Sequence, residues 1–429
     1  MLRSLYSLIL YLAVPIILLR LYFKGIKAPV YRQRIGERFA NSQLPASFDP
    51  SRQTIWIHAV SVGESIAAAP FIRELQLRFP DSQILVTTMT PTGSDRITAM
   101  FGDRVYHCYL PYDLPGALNR FVRRINPVML ILMETELWPN LIHVCSKQNV
   151  KLILANARLS EKSARGYSRF PGLTRSMLLK IDYIAAQAQA DFERFAELGA
   201  DSHKMEITGS LKFNVNIEQE KALSDSVLVE IKESGRTVII AASTRDGEES
   251  KVLHAFRRVL DYQPHVLLLL VPRHPERFDS VANLCTQSGF TLSRRSKHQT
   301  VDSSTQVYLG DSMGEMLSYY RLANIAFVGG SLVDTGCQNV LEPAALSLPV
   351  VVGPSQYNFA TICAQLEAAG GLHTVSDENE LADYLVALIS DPVRQQQSGA
   401  AGRALVETNQ QALPLLLEIV QREGLNGHE

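Results

Sequence analysis

"TIWIHAVSVGESIAAAPFIRELQLRF", Thr54 to Phe79, decides the fold. It opens with an apolar run through Val60, breaks at Gly63, and resumes from Ile66 with apolar residues at helical spacing. A short strand that turns directly into a helix is the repeating unit of a parallel α/β sheet. The stretch also raises a question of chemistry. Glu64 is a carboxylate where the strand ends and the helix begins. Taken alone, an acid there simply complements the positive end of the helix.

The same rhythm extends in both directions. "QILVTTM", "RVYHCYL", "VMLILME", "KLILANA", "YIAAQA" and "KMEITGS" read as further strands, with helical patterns at 66–78, 115–124 and 190–198. Near-continuous apolar strands alternating with helices imply a parallel sheet covered on both faces. The polar stretch "NVNIEQEKALSDSVLVEIKESG" interrupts the pattern and reads as a connection. The alternation then restarts with "TVIIAAST", "HVLLLLVP", "FTLSRR", "TQVYLGD", "IAFVGGS" and "LPVVVGP". The chain therefore reads as two Rossmann-like domains in series. In such sheets ligands bind beyond the carboxyl ends of the strands.

Composition bounds the rest. The 429 residues are 46% hydrophobic and 20% charged, with a formal net charge of −1. That is an ordinary globular balance with no overall basic field for nucleic acid. The five cysteines are scattered with no C-x-x-C pair, which argues against a zinc site or a disulfide framework and fits a reducing compartment. The N-terminus stands apart. "LYSLILYLAVPIILLRLYF", residues 5–23, is nearly all apolar, and Lys24, Lys27, Arg32, Arg34 and Arg38 follow it. The length suits an uncleaved membrane anchor, spanning or only dipping in, with the basic residues beside anionic headgroups on the cytoplasmic side. A buried helix of a soluble domain is the alternative. The expected division is 1–24 anchor, 25–215 first domain and 216–429 second domain.

Candidate functional residues cluster where strands end. In the second half, Ser243, Thr244 and Gly247 follow one strand and precede Glu248 and Glu249. Arg273 and His274 follow the next strand. Gly329, Gly330 and Ser331 follow another, with Asn339 placed to cap a helix carrying Glu342. Each piece alone has an ordinary structural reading. Together, a tight turn, a cation for phosphate and an acid that can accept ribose hydroxyls suggest a nucleotide-linked donor. The first half offers Glu64, then Glu134 and Glu136 in "METELWPN", Arg158 with Ser160 and Ser163, and Ser210 with Lys212. Glu134 and Arg158 read equally well as a structural ion pair. Trp56 reads as core, and Trp138-Pro139 as packing at a helix start.

Taken in order, "VSVGE", "METELWPN", "NARLSEKS", "GSLKF", "AAST" before "GEE", "PRHPERF", "VGGSLV" before "QNVLEPA", and "GPSQYNF" resemble the 3-deoxy-D-manno-octulosonic acid (Kdo) transferases of lipopolysaccharide synthesis. The resemblance runs from about residue 61 to 359 and includes the anchor. It implies a GT-B glycosyltransferase: two Rossmann-like domains facing a cleft, with an N-terminal membrane-anchor helix. It implies CMP-Kdo as donor, a lipid A precursor (lipid IVA) as acceptor, no metal and no other cofactor. It places the enzyme at the inner membrane with its catalytic domains on the cytoplasmic face. It makes Glu64 the general base in the acceptor domain. It makes Ser243, Arg273, His274, Gly330, Ser331, Asn339 and Glu342 donor-binding in the second domain, with Lys212 contacting phosphate or carboxylate. Glu134, Glu136 and Arg158 are structural or acceptor-side. Two departures stand out: Arg245 replaces a histidine before the G-E-E, and Gln338 replaces one before Asn339. Gln338 cannot titrate near neutrality, so no proton transfer is assigned there. The rival readings are a GT-B transferase using a UDP-sugar, a non-catalytic module that binds anionic glycolipid, and a nucleotide-sugar epimerase of similar fold.

Overall fold

The computed structural model describes residues 2–41, 44–45, 47–215, 217 and 226–424. Much of the expected connection, at 216 and 218–225, lies outside the described residues. The chain forms two compact units, Met1–Asn214 with Asn409–Glu429, and Val215–Thr408.

The first unit begins with α1 (Leu2–Lys27). Strands and helices then alternate: β1 (Thr54–His58), α2 (Val62–Arg78), β2 (Gln83–Thr88), α3 (Pro91–Phe101), β3 (Tyr106–Tyr109), α4 (Pro115–Ile125), β4 (Pro127–Met133), α5 (Pro139–Lys147), β5 (Lys151–Ala157), α6 (Glu161–Ser168), α7 (Pro171–Leu178), β6 (Tyr183–Ala186), α8 (Gln189–Glu197) and β7 (Met205–Ile207). The seven strands form one parallel sheet in the order β3-β2-β1-β4-β5-β6-β7. Every residue of β1 and β2 is buried, as expected for strands covered on both faces. Successive β1 side chains alternate between the two faces: Trp56 packs with Phe121, whereas Ile55 and Ile57 pack with Phe71. Trp56 is core, as its sequence context implied, and its indole N–H donates to Thr87 Oγ1 at 2.9 Å.

The second unit holds α9 (Ser226–Glu233), β8 (Val238–Thr244), α10 (Glu248–Tyr262), β9 (Leu267–Pro272), α11 (Phe278–Gln287), β10 (Leu292–Arg294), β11 (Val307–Leu309), α12 (Met316–Tyr320), β12 (Ile325–Val328), α13 (Leu341–Ala345), β13 (Val350–Val352), α14 (Ala360–Ala368), β14 (Leu372–Thr374), α15 (Glu378–Ser390) and α16 (Pro392–Asn409). Its parallel sheet runs β10-β11-β9-β8-β12-β13-β14. The last helix, α17 (Ala412–Gly424), differs from the expected division at 216–429. It belongs to the first unit, where Leu416, Leu417, Ile419 and Val420 fill the apolar layer with Ile55, Ile57 and Ile153. Its apolar face would otherwise be left in water.

In each sheet the winding direction reverses at one strand. The chain builds β2 and β3 on one side of β1, then crosses to β4 on the other. In the second unit β8 plays this part, between β9 and β12. The crevice beyond such a switch point is where open α/β sheets bind ligands. Glu64 follows β1, Glu134 and Glu136 follow β4, Ser243 is the penultimate residue of β8, and Gly330 and Ser331 follow β12.

Candidate active site

The β1–α2 connection is short, and α2 begins at Val62, so Glu64 lies in its first turn. Ser61 is the N-cap, its backbone extended and its hydroxyl within 3.4 Å of the Glu64 amide. Glu64 reciprocates. Its Oε1 accepts from the Ser61 hydroxyl at 2.7 Å and its Oε2 from the Val60 N–H at 2.8 Å. This is a close variant of the serine–glutamate capping box. A carboxylate used only as a cap is stabilised in its charged form. Here burial dominates and pushes the Glu64 carboxyl up to about 7, overcoming the two hydrogen bonds, while Glu134 and Glu136 add to the rise. Each oxygen accepts one bond and retains a lone pair for another donor.

The loop after β4 brings the other two acids. Glu134 has a left-handed backbone, φ 56°, and its N–H donates to the Ala155 carbonyl at 3.0 Å. Its side chain stands 3.5 Å from Lys212 Nζ. Glu136 Oε2 accepts from the Trp138 indole at 2.8 Å, and burial raises its carboxyl above the ordinary range. Lys212 sits in a 3-10 turn, Leu211–Phe213, held by Asn156 Oδ1 accepting the Leu211 N–H at 2.9 Å. Thus Glu64, Glu134, Glu136 and Lys212 share the carboxyl edge of one sheet. The Arg158 carbonyl accepts from Thr135 Oγ1, which ties the loop after β4 to that after β5.

Sequence reasoning passed over Asn156, which is 1% exposed with φ 52°. The signal was the asparagine in "NARLSEKS", a residue type that tolerates the left-handed region. It also passed over His58, fully buried on β1, where burial pulls the imidazole down to about 4 and keeps it neutral.

The second switch point is built differently. Ser243 has φ 57°, and the loop after it ends at Gly247. Glu248 is fully buried and gathers the loop amides. Oε2 accepts from Arg245 N at 3.0 Å and Gly330 N at 2.7 Å, and Oε1 from Ser331 N at 3.0 Å and Leu332 N at 2.9 Å. The amides of Gly330 and Ser331 are therefore already satisfied. A β-carbon on Gly329 would stand 2.7 Å from Thr244 Cα, so only glycine lets the loops after β8 and β12 pack this closely. Glu249 accepts from Thr244 Oγ1 at 2.8 Å and is gripped by Arg277 through two bonds of 2.6 and 2.8 Å.

These bonds occupy both Glu248 and Glu249. Arg245 Nη1 touches His274 Nε2, and its buried Nε has no partner among the described residues. The Arg273 N–H donates to the Thr244 carbonyl at 3.1 Å, and its side chain is exposed. Asn339 Oδ1 accepts the Leu341 N–H at 3.0 Å at the start of α13, and its amide donates to Glu342 Oε1 at 3.0 Å. So the loops after β8, β9 and β12 bring Ser243, Arg245, Arg273, His274 and Glu342 to one sheet edge.

Known proteins share this chain's sequence and fold. Residues 33–215 match the family described as 3-deoxy-D-manno-octulosonic-acid transferase (kdotransferase). A 3-deoxy-D-manno-octulosonic acid transferase of Haemophilus influenzae is 42% identical over 423 residues, covering 98% of both chains. One from Bordetella pertussis is 35% identical over 374 residues, 85% of each. Among solved structures, MurG of Acinetobacter baumannii superposes with a TM-score of 0.55 over 86% of this chain and 99% of its own, at 9% identity. That likeness concerns the fold alone, the GT-B architecture.

Proposed function

Since the chain belongs to the Kdo transferase family, a glycosyltransferase family of lipopolysaccharide biosynthesis, we propose that it moves Kdo from CMP-Kdo to a tetra-acylated lipid A precursor with Glu64 as general base. The observation that carries the base assignment is the Glu64 carboxyl, raised to about 7 by burial and flanked by Glu134 and Glu136. An acceptor hydroxyl donates to a free lone pair of that carboxylate. As the hydroxyl oxygen bonds to the anomeric carbon of Kdo, its proton passes to Glu64. The bond from that carbon to the CMP phosphate oxygen breaks, and CMP leaves as a phosphate monoester that needs no proton. A base matched to the working pH contributes about 10²–10⁴-fold.

The donor sits in the second unit in this reading. Arg273, Arg245 and His274 meet the negative charge of the phosphate and of the Kdo carboxylate. Ser243 and Glu342 are placed for hydroxyls. Gly330 and Ser331 shape the turn, since their amides serve Glu248. Asn339 orients Glu342. Lys212 holds Glu134 and adds positive charge on the acceptor side. Glu136 and Arg158 order the loops beside Glu64. The apolar α1 supports membrane association, and in this reading the membrane is the inner one and the catalytic units lie on its cytoplasmic face.

The deciding experiment supplies CMP-Kdo, generated in situ, and the tetra-acylated precursor to the purified chain, and weighs the lipid product by mass spectrometry. Gain of one or more Kdo units is the expected result. No gain from protein that CMP still protects against heat would overturn the acceptor. Protection by UDP and not CMP would overturn the donor.

A further inference from the structure

α1 is apolar and long enough to cross a bilayer. A crossing helix takes about 20 residues through the hydrocarbon core, and whatever protein packs along it must enter the core with it. Yet one stripe of α1 faces the protein from its first turn to its last. Arg3 Nη1 donates to Asn140 Oδ1 at 3.0 Å, and the Ser7 hydroxyl to the same oxygen at 2.9 Å. Leu10 and Val14 pack on the first unit's core, the Tyr11 hydroxyl accepts the Gly116 N–H at 3.3 Å, and Leu21 is buried. From Arg3 to Leu21 the stripe runs about 27 Å, close to the thickness of the hydrocarbon core. If α1 crossed, the protein packed along it, from Asn140 beside Arg3 and Ser7 to Gly116 beside Tyr11, would be drawn into the hydrocarbon core, where polar and ionisable groups are costly. The opposite stripe is bare. Leu5, Leu12 and Leu19, seven residues apart, are 56%, 70% and 61% exposed. Arg20 and Lys24 are exposed near the far end.

A second feature adjoins the start of α1. The α6–α7 hairpin carries Lys162, Arg165, Arg169, Arg175 and Lys180 against one acid, Glu161. At its tip Phe170 is 59% exposed, and Leu179 beyond α7 is 51% exposed. A β-carbon on Gly172 would lie 3.6 Å from Leu2 Cδ1, so the hairpin abuts the helix. Between α1, α5 and α7 lies a groove of about 570 Å³ whose lining includes Leu2, Ile142 and Met177 together with Arg3 and Lys180. Exposed aromatic and aliphatic side chains among clustered cations are the chemistry of an interface with anionic lipid.

We propose that α1 lies in the plane of one leaflet instead of crossing, and that the α6–α7 hairpin is a second foot on anionic phospholipid headgroups. Together they hold the first unit tangential to the bilayer. The inference rests on the acceptor being membrane-held, but it concerns geometry and not chemistry.

Two measurements test it with the full chain. Environment-sensitive labels go on Leu5→Cys, Leu12→Cys and Leu19→Cys in turn, the native cysteines being buried. Depth is read in phosphatidylcholine–phosphatidylglycerol vesicles with lipids quenched at known positions. In-plane α1 gives all three labels one shallow depth in one leaflet. A Leu12 label at the bilayer centre, with Leu5 and Leu19 labels in opposite leaflets, overturns the first half. Vesicle flotation of R165Q/R169Q/R175Q tests the second. Each cation at an anionic surface is worth about fivefold in binding, so binding should weaken by about a hundredfold at low salt. Unchanged binding overturns the foot. CMP protection against heat serves as the folding control. A chain that gives equal label depths and yet transfers no Kdo would sink the proposed function and leave this inference standing.

Discussion

Replacing Glu64 by glutamine separates a base from a helix cap, because the two roles predict opposite effects on stability. The Glu64 carboxyl rises from 4.5 to about 7, with burial as the main cause. At 1.36 kcal/mol per pH unit, ionising it in the folded chain costs about 3 kcal/mol more than in the unfolded chain. The folded state binds this proton more tightly than the unfolded state. Its contribution to stability is therefore full below about 4.5, declines as pH rises toward 7, and is lost above. Glutamine never ionises and still accepts from the Ser61 hydroxyl or the Val60 N–H. Glu64→Gln should thus melt no lower than the parent at pH 8, and its advantage should shrink toward pH 5. Turnover behaves differently. The parent's kcat/KM should climb about tenfold from pH 6 to pH 8, as expected for a base titrating near 7. The variant should lose about 10²–10⁴-fold and its acid limb should flatten. Differential scanning fluorimetry across pH, with a mass-spectrometric rate assay, reads both. A variant that is destabilised at pH 8 and keeps more than a tenth of parental turnover would show that Glu64 only caps α2.

Other residues give sharper local tests. Arg245→His should leave donor KM near parental at pH 6 and raise it several-fold by pH 8, because histidine loses its charge over that range and arginine does not; a parallel shift at both pH values would exclude a charge role. Gly329→Ala forces a methyl to 2.7 Å from Thr244 Cα, and thermal unfolding should show a loss of about 1–3 kcal/mol together with weaker CMP binding. Lys212→Ala removes the cation 3.5 Å from Glu134 and should lower kcat while sparing CMP affinity, as measured by calorimetry; weaker CMP binding would move Lys212 to the donor. Asn156→Ala should produce a milder form of the Lys212 defect, because it frees the Leu211 amide that fixes the turn.

Much of this was legible in the sequence for a simple reason. A strand buried on both faces must be a continuous apolar run, and most strands from β1 to β13 announced themselves that way, whereas β3, β7 and β10 are only partly apolar and were read from their place in the alternation. β14 did not, because "LHT" at 372–374 is short and half polar and is a strand only by pairing with β13. The return of α17 to the first sheet was also hidden. An amphipathic helix shows which of its faces is apolar, but not which sheet will cover it. Among candidate site residues, charge and position singled out Glu64, Glu134, Lys212 and Arg273, and each lies at or just past the carboxyl end of a strand or in a neighbouring loop. The role of Glu248 was not visible, since its four amide partners are 3 to 84 residues away in sequence.

The two switch points follow one plan and reach opposite electrostatics through the partners given to their acids. After β1, Glu64 is held by a hydroxyl and an amide, neither of which carries charge, and two further carboxylates follow β4. Burial without a counter-ion raises a carboxyl, and a raised carboxyl is a competent base near neutrality. After β8 the acids come just as thickly, but Glu248 is spent on four amides and Glu249 on Arg277. What remains beside that crevice is the Arg245 guanidinium touching His274, with the exposed Arg273 next to it, two cations suited to an anion. A reaction that takes a proton from a neutral hydroxyl and expels a phosphate needs both environments. On the proposed function, two copies of one fold supply them because the copies differ in a handful of hydrogen bonds at the same topological position.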